Sequence, residues 1–80
     1  MKYTYSISTR HYTFKNAKVP PYWVAYLFAE AEDGHEHCAA LVRSDDERRA
    51  VAALRVAFPE ETAGVPHSFA GVDGECQLTL

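Results

Sequence analysis

Long apolar runs are missing from this chain of 80 residues. The longest, Tyr22 to Ala29, spans eight residues, against the roughly 20 that a membrane helix needs. The opening stretch Met1-Lys2-Tyr3-Thr4-Tyr5-Ser6-Ile7 has neither an apolar core nor a small-residue cleavage site, so no signal peptide is read there. A cytoplasmic address is the expectation, with no membrane association. Cysteine is scarce: Cys38 and Cys76 lie far apart and form no disulfide framework. Gly and Pro, four of each, are too few for a disordered or fibrous chain. Acids are absent before Glu30, whereas Lys2, Arg10, Lys15 and Lys18 all fall in that first stretch. The net charge of −3 therefore hides a basic end and an acidic end.

What remains is one small domain, residues 1–80. A chain of this length buries only ~60% of the surface its unfolded form exposes, which leaves a marginal core. Lys2 to Thr9 alternates, with Tyr3, Tyr5 and Ile7 on one side, at the period of a half-buried strand. Tyr12 and Phe14 continue it or fall in the following loop, and Pro20-Pro21 stops pairing. Tyr22–Glu32 and His35–Arg43 read as two strands joined by a two-residue Asp33-Gly34 turn. That turn sets Glu32 opposite His35, Glu30 opposite His37, Phe28 opposite Ala39 and Tyr26 opposite Leu41. One face then collects Tyr22, Val24, Tyr26, Phe28, Glu30, Glu32, His35, His37, Ala39 and Leu41. The other, with Trp23, Ala25, Leu27, Ala29, Cys38, Ala40 and Val42, has the small side chains that let a helix approach, and it is assigned to the core.

Ser44-Asp45-Asp46-Glu47 has the form of a capping box, opening a helix from about Asp45 to Phe58 that ends before Pro59. Ala50, Val51, Leu54, Ala57 and Phe58 form its buried stripe, and Arg48, Arg49, Ala52 and Arg55 face away. After a loop, 67–72 and 75–80 flank a second Asp-Gly turn, Asp73-Gly74, and read as a second hairpin. The expected fold is α+β: an antiparallel sheet of about five strands, ordered β-β-β-α-β-β, with one helix on one face. Cys38 and Cys76 both point inward in this scheme. They are either two buried reduced thiols or neighbours joined in a disulfide.

No serine sits in a Gly-x-Ser-x-Gly turn, no glycine loop cradles a phosphate, and neither cysteine has a base and orienting partner in view, so no enzyme, catalytic residue or cofactor is read. His35-Glu36-His37-Cys38 offers metal-ligating residue types. A strand turns Cys38 away from the two histidines, however, and cross-strand Glu–His pairs explain them without a metal. The basic residues among Tyr3, Tyr5, Tyr12 and Phe14 could stack on and neutralise a nucleic acid, but the sequence pI of about 5.7 opposes direct binding. The stronger pattern is an open sheet face carrying Tyr22, Tyr26 and Phe28 beside an acidic hairpin tip of Glu30, Glu32, Asp33 and Glu36. Those residues read as a partner-binding surface for a basic protein. The helix face of Arg48, Arg49 and Arg55 is the alternative. The chain itself is expected to be a monomer or weak dimer.

With its size, β-rich α+β pattern, acidic pI, Ala- and Arg-rich composition and lack of catalytic residues, the chain resembles small phage- or mobile-element-encoded anti-CRISPR proteins. Its Met1-Lys2-Tyr3-Thr4-Tyr5 start and Cys38…Cys76 pair resemble inhibitors of type I-C systems. The resemblance implies a stoichiometric inhibitor of the RNA-guided surveillance complex Cascade, acting by blocking target DNA. The chain is also similar to antitoxins of ribonuclease toxins with a partial ribonuclease H fold. These open with Met-Lys-Tyr, run β-β-β-α-β and start their helix with an acidic cap before Ala-rich turns. It departs from them in lacking an Asp-rich first turn, a Leu-Pro-Gly after the second strand and a DNA-binding tail.

Overall fold

A computed structural model describes residues 2–16 and 18–74. The chain runs β1 (Tyr3–Thr13), β2 (Tyr22–Ala31), β3 (Glu36–Ser44), α1 (Glu47–Ala57) and β4 (His67–Gly74). The strands form one four-stranded sheet in the order β3-β2-β1-β4, with α1 packed on one face. The class is the α+β expected, but the sheet is mixed. β1, β2 and β3 form an antiparallel meander, while β4 lies parallel to β1. The reason is the helix. α1 carries the chain back over the sheet after β3, so the next strand runs in the direction of β3, which is also that of β1. Asp73 and Gly74 pair with Tyr12 and Thr13 as strand residues, so the second Asp-Gly turn is not made. The expected fifth strand, with Cys76, lies outside the described residues.

The core is the layer between sheet and helix. Ile7, Ala25 and Leu27 meet Ala50, Val51 and Leu54, flanked by Tyr5, Ala40, Val42, Phe58 and Val65. The helical stripe is thus the one the spacing predicts, except that Ala57 is exposed. Small side chains at Ala25, Ala29 and Ala40 leave room for the helix. Trp23 shares the parity of Ala25 but is only half-buried; it stacks on His11 at 4.6 Å and meets Phe69 at 5.5 Å.

The helix starts later than the capping box predicts. Ser44 ends β3, paired with Trp23, and the N-cap is Asp46, which makes no side-chain cap bond. Glu47 instead accepts a hydrogen bond from the buried Thr9 hydroxyl at 2.7 Å, tying the first turn of α1 to β1. At the other end Arg55 donates to the carbonyls of Thr62 (2.9 Å) and Val65 (2.7 Å), pinning the loop that leads to β4. Arg55 therefore does not belong to a free basic face. Among the described residues no helix is long and apolar enough to cross a membrane.

Candidate functional site

The hairpin decides which side chains reach the uncovered face of the sheet. Its loop has three residues, not two. The Gly34 amide donates to the Ala31 carbonyl (2.9 Å) and the Ala31 amide to the His35 carbonyl (2.8 Å). Gly34 takes φ +91°, the left-handed position that closes a three-residue hairpin. Near the tip the register is therefore one residue off the expected one: Glu30 faces Glu36, Ala29 faces His37 and Phe28 faces Cys38. An irregularity between Leu27 and Phe28 then absorbs Ala39 as a bulge, and Leu27–Ala40 and Tyr26–Leu41 pair as predicted. A bulge adds one residue to one strand and restores the alternation beyond it.

The consequences divide along the strand. Tyr22, Val24, Tyr26, Phe28 and Glu30 lie on the open face, as the alternation predicts, and so does Leu41, 57% exposed. Glu36 joins them opposite Glu30, while His37 goes to the helix side and packs edge-on against Tyr3 at 6.1 Å. Cys38 is the main correction: it is exposed on the open face, not buried in the core, and is a free thiol. Glu32 and Asp33 occupy the exposed tip. Asp33 accepts from the His35 amide at 3.0 Å and lies 2.8 Å from the His35 ring nitrogen Nδ1. Bonding to that ring, and then to the amide, holds the Asp33 carboxyl below its ordinary range. Among the described residues no three His, Cys, Asp or Glu converge on one point as metal ligands would.

The open face is richer in aromatics than the hairpin alone implies. Tyr12 and Phe14 both reach it, with Tyr22 5.4 Å from the Tyr12 ring and 5.5 Å from that of Phe14. Tyr26 and Phe28 stack at 5.9 Å. The hydroxyls of Tyr12 and Tyr26 share a hydrogen bond. Partial burial, then that bond, pushes the Tyr26 phenol well above its ordinary range. Arg43 sits over the Tyr22 ring at 4.5 Å, a cation–π contact, and Arg10 and Arg43 flank the buried Val24 from the two neighbouring strands. A shallow cleft of about 250 Å³ beside them is lined by Val19, Pro20, Pro21, Tyr22, Arg43, Ser44 and Asp45.

This face thus runs from the Tyr12, Phe14 and Tyr22 cluster at one end, past the two guanidiniums that flank Val24, over Tyr26 and Phe28, to the facing carboxylates Glu30 and Glu36 and the acidic tip. Tyr12, Phe14 and Arg43 were missed as members of it. The even-numbered parity they share with Tyr22, or its cross-strand equivalent, was the available signal. The basic N-terminal set is split: Tyr5 packs toward the core, while Arg10, Tyr12 and Phe14 face the opposite side. Lys2, Lys15 and Lys18 are exposed outside the strands. On the helix, Arg49 lies 3.7 Å from Asp45, an exposed i,i+4 pair. Comparison with protein families, with characterised proteins and with solved structures returns no match.

Proposed function

We propose that this chain is a non-enzymatic protein inhibitor that binds a bacterial type I CRISPR surveillance complex, Cascade, through the open sheet face and acidic hairpin tip, and so blocks target DNA. The observation that supports this most is the aromatic band of Tyr12, Tyr22, Tyr26 and Phe28 leading to Glu30 and Glu36, a face that no described element covers. Aromatics supply contact area at low entropic cost, and binding energy concentrates in a few such residues. The facing pair Glu30–Glu36 costs the isolated fold some stability, since like charges directly opposite repel. Lysines and arginines of a DNA-binding surface would relieve that repulsion and speed the encounter. The test is affinity capture from lysates carrying type I systems, followed by competition with target DNA. Tyr26→Ala should raise the Kd about thirtyfold, chiefly through faster dissociation. Glu30→Lys should slow association and flatten its salt dependence. Wild-type potency in both folded variants would place the surface elsewhere.

A second reading is favoured by a different observation. The order β-β-β-α-β, with a helical crossover bringing β4 parallel to β1, is the element order of the ribonuclease-neutralising antitoxins that the sequence resembles. On that reading the same face would meet a small basic ribonuclease. Recovery of such an enzyme in the capture experiment, and no Cascade subunit, selects it.

A further inference from the structure

β3 is an edge strand, and its outer side is unpaired among the described residues. Edges of this length are commonly blunted by lysine, proline or a bulge. β3, Glu36–Ser44, carries no lysine or proline, and it holds the large exposed side chain Leu41. Its one irregularity is the bulge at Ala39, and that bulge has a specific effect on the edge.

The hydrogen-bonded Ala31–His35 pair fixes which β3 residues turn their backbone toward β2. Counting by alternation from His35, and skipping the bulge residue, Glu36, Cys38, Leu41 and Arg43 turn their N–H and C=O groups outward. All four are exposed, and their pairings place all four side chains on the open face. The order along the edge is acid, small, large, base, and Ala39–Ala40 lies at its centre. Reversed about that centre, the same edge presents base, large, small, acid. An unbulged strand of this sequence would put Glu36 and Arg43 on opposite faces; the extra residue at Ala39 brings them to one.

We infer that β3 pairs antiparallel with β3 of a second copy of this chain about a two-fold axis at Ala39–Ala40, setting Glu36 against the partner's Arg43 and Cys38 against the partner's Leu41, to join the described strands of both copies in one continuous sheet. The occupant is argued from charge and size complementarity. Each Glu36, which in its own chain faces only Glu30, gains a guanidinium on its other side, and each Leu41 loses solvent contact. An isologous pairing of this kind closes on itself and does not propagate. It leaves each copy's aromatic band uncovered, while Glu36 and Arg43 lie on the open face and on the shared edge alike.

Sedimentation velocity over micromolar to millimolar concentrations tests it. A reversible dimer is expected. Glu36→Arg and Arg43→Glu alone should each weaken it at least about tenfold, because each places like charges face to face twice per dimer. The double variant E36R/R43E should restore the wild-type constant. The register has a separate test. Opposed Cα atoms in an antiparallel pair lie ~4.5–5.5 Å apart, within the ~4.4–6.8 Å that a disulfide spans. Leu41→Cys in a Cys76→Ser background should therefore give disulfide-linked dimers on mild oxidation, and the same protein with Cys38→Ser should not. A monomer across the whole range, a dimer indifferent to both single reversals, or no rescue by the double swap would overturn the pairing.

Discussion

Thr9 is wholly buried in β1, yet its hydroxyl is satisfied: it donates to Glu47. A hydrogen bond to a charged group contributes about 1.5–3 kcal/mol. Thr9→Val keeps the shape, removes the donor and leaves a half-buried carboxylate without it. Denaturant unfolding should show a loss of about 2 kcal/mol, and Thr9→Ser should recover most of it. Cys38 carries the opposite lesson, since alternation from a two-residue turn puts it in the core and the structure puts it in solvent. In a Cys76→Ser background, Cys38 of the native protein should react with a thiol reagent as fast as it does in the unfolded chain, and adding Cys38→Ser should abolish the labelling. Slow labelling of Cys38 at the unfolding rate would return it to the interior.

The hairpin shows how far an element can be read from its residues. Tyr26 opposite Leu41 follows from alternation and holds, and the open face of β2 with it. Two choices lay beyond the residue pattern. Asp-Gly closes two-residue and three-residue loops alike, and here the longer one is held by the Asp33–His35 bonds. At the bulge, Cys38-Ala39-Ala40 is a run of small side chains that fits either face, so nothing in it marks the extra residue. The capping box failed for a related reason: the ladder with Trp23 claims Ser44 before the helix can use it. The loop chemistry makes a prediction of its own. A carboxyl whose folded pKa is depressed stabilises the turn above its unfolded value of about 3.9. That contribution fades as pH falls through the lower folded value. The acid step in the Gly34 amide shift, followed by NMR, should thus have its midpoint below the ordinary carboxyl value of about 3.9. In Asp33→Asn that acid step should be missing.

At the scale of the molecule the core is small, and Leu54 is the largest fully buried side chain of its helix. Leu54→Ala should cost about 2–5 kcal/mol. In a domain of this size each kcal/mol moves Tm by about 4–8 °C, so thermal melting should show Tm lowered by at least about 8 °C. Its α+β class and its helix-on-sheet layering were legible because the apolar periods of strand and helix differ. The parallel placement of β4 was not, since it is set by where the helix delivers the chain and not by any residue in β4. That placement also has a consequence in time. The outer side of β1 is paired only by β4, so residues 14–66 must leave the ribosome between the two strands. At roughly 5–20 residues per second, that is about 3–10 s of synthesis in which β1 presents an open ladder. Nascent chains arrested before β4 should therefore be held by chaperones that chains arrested after it escape.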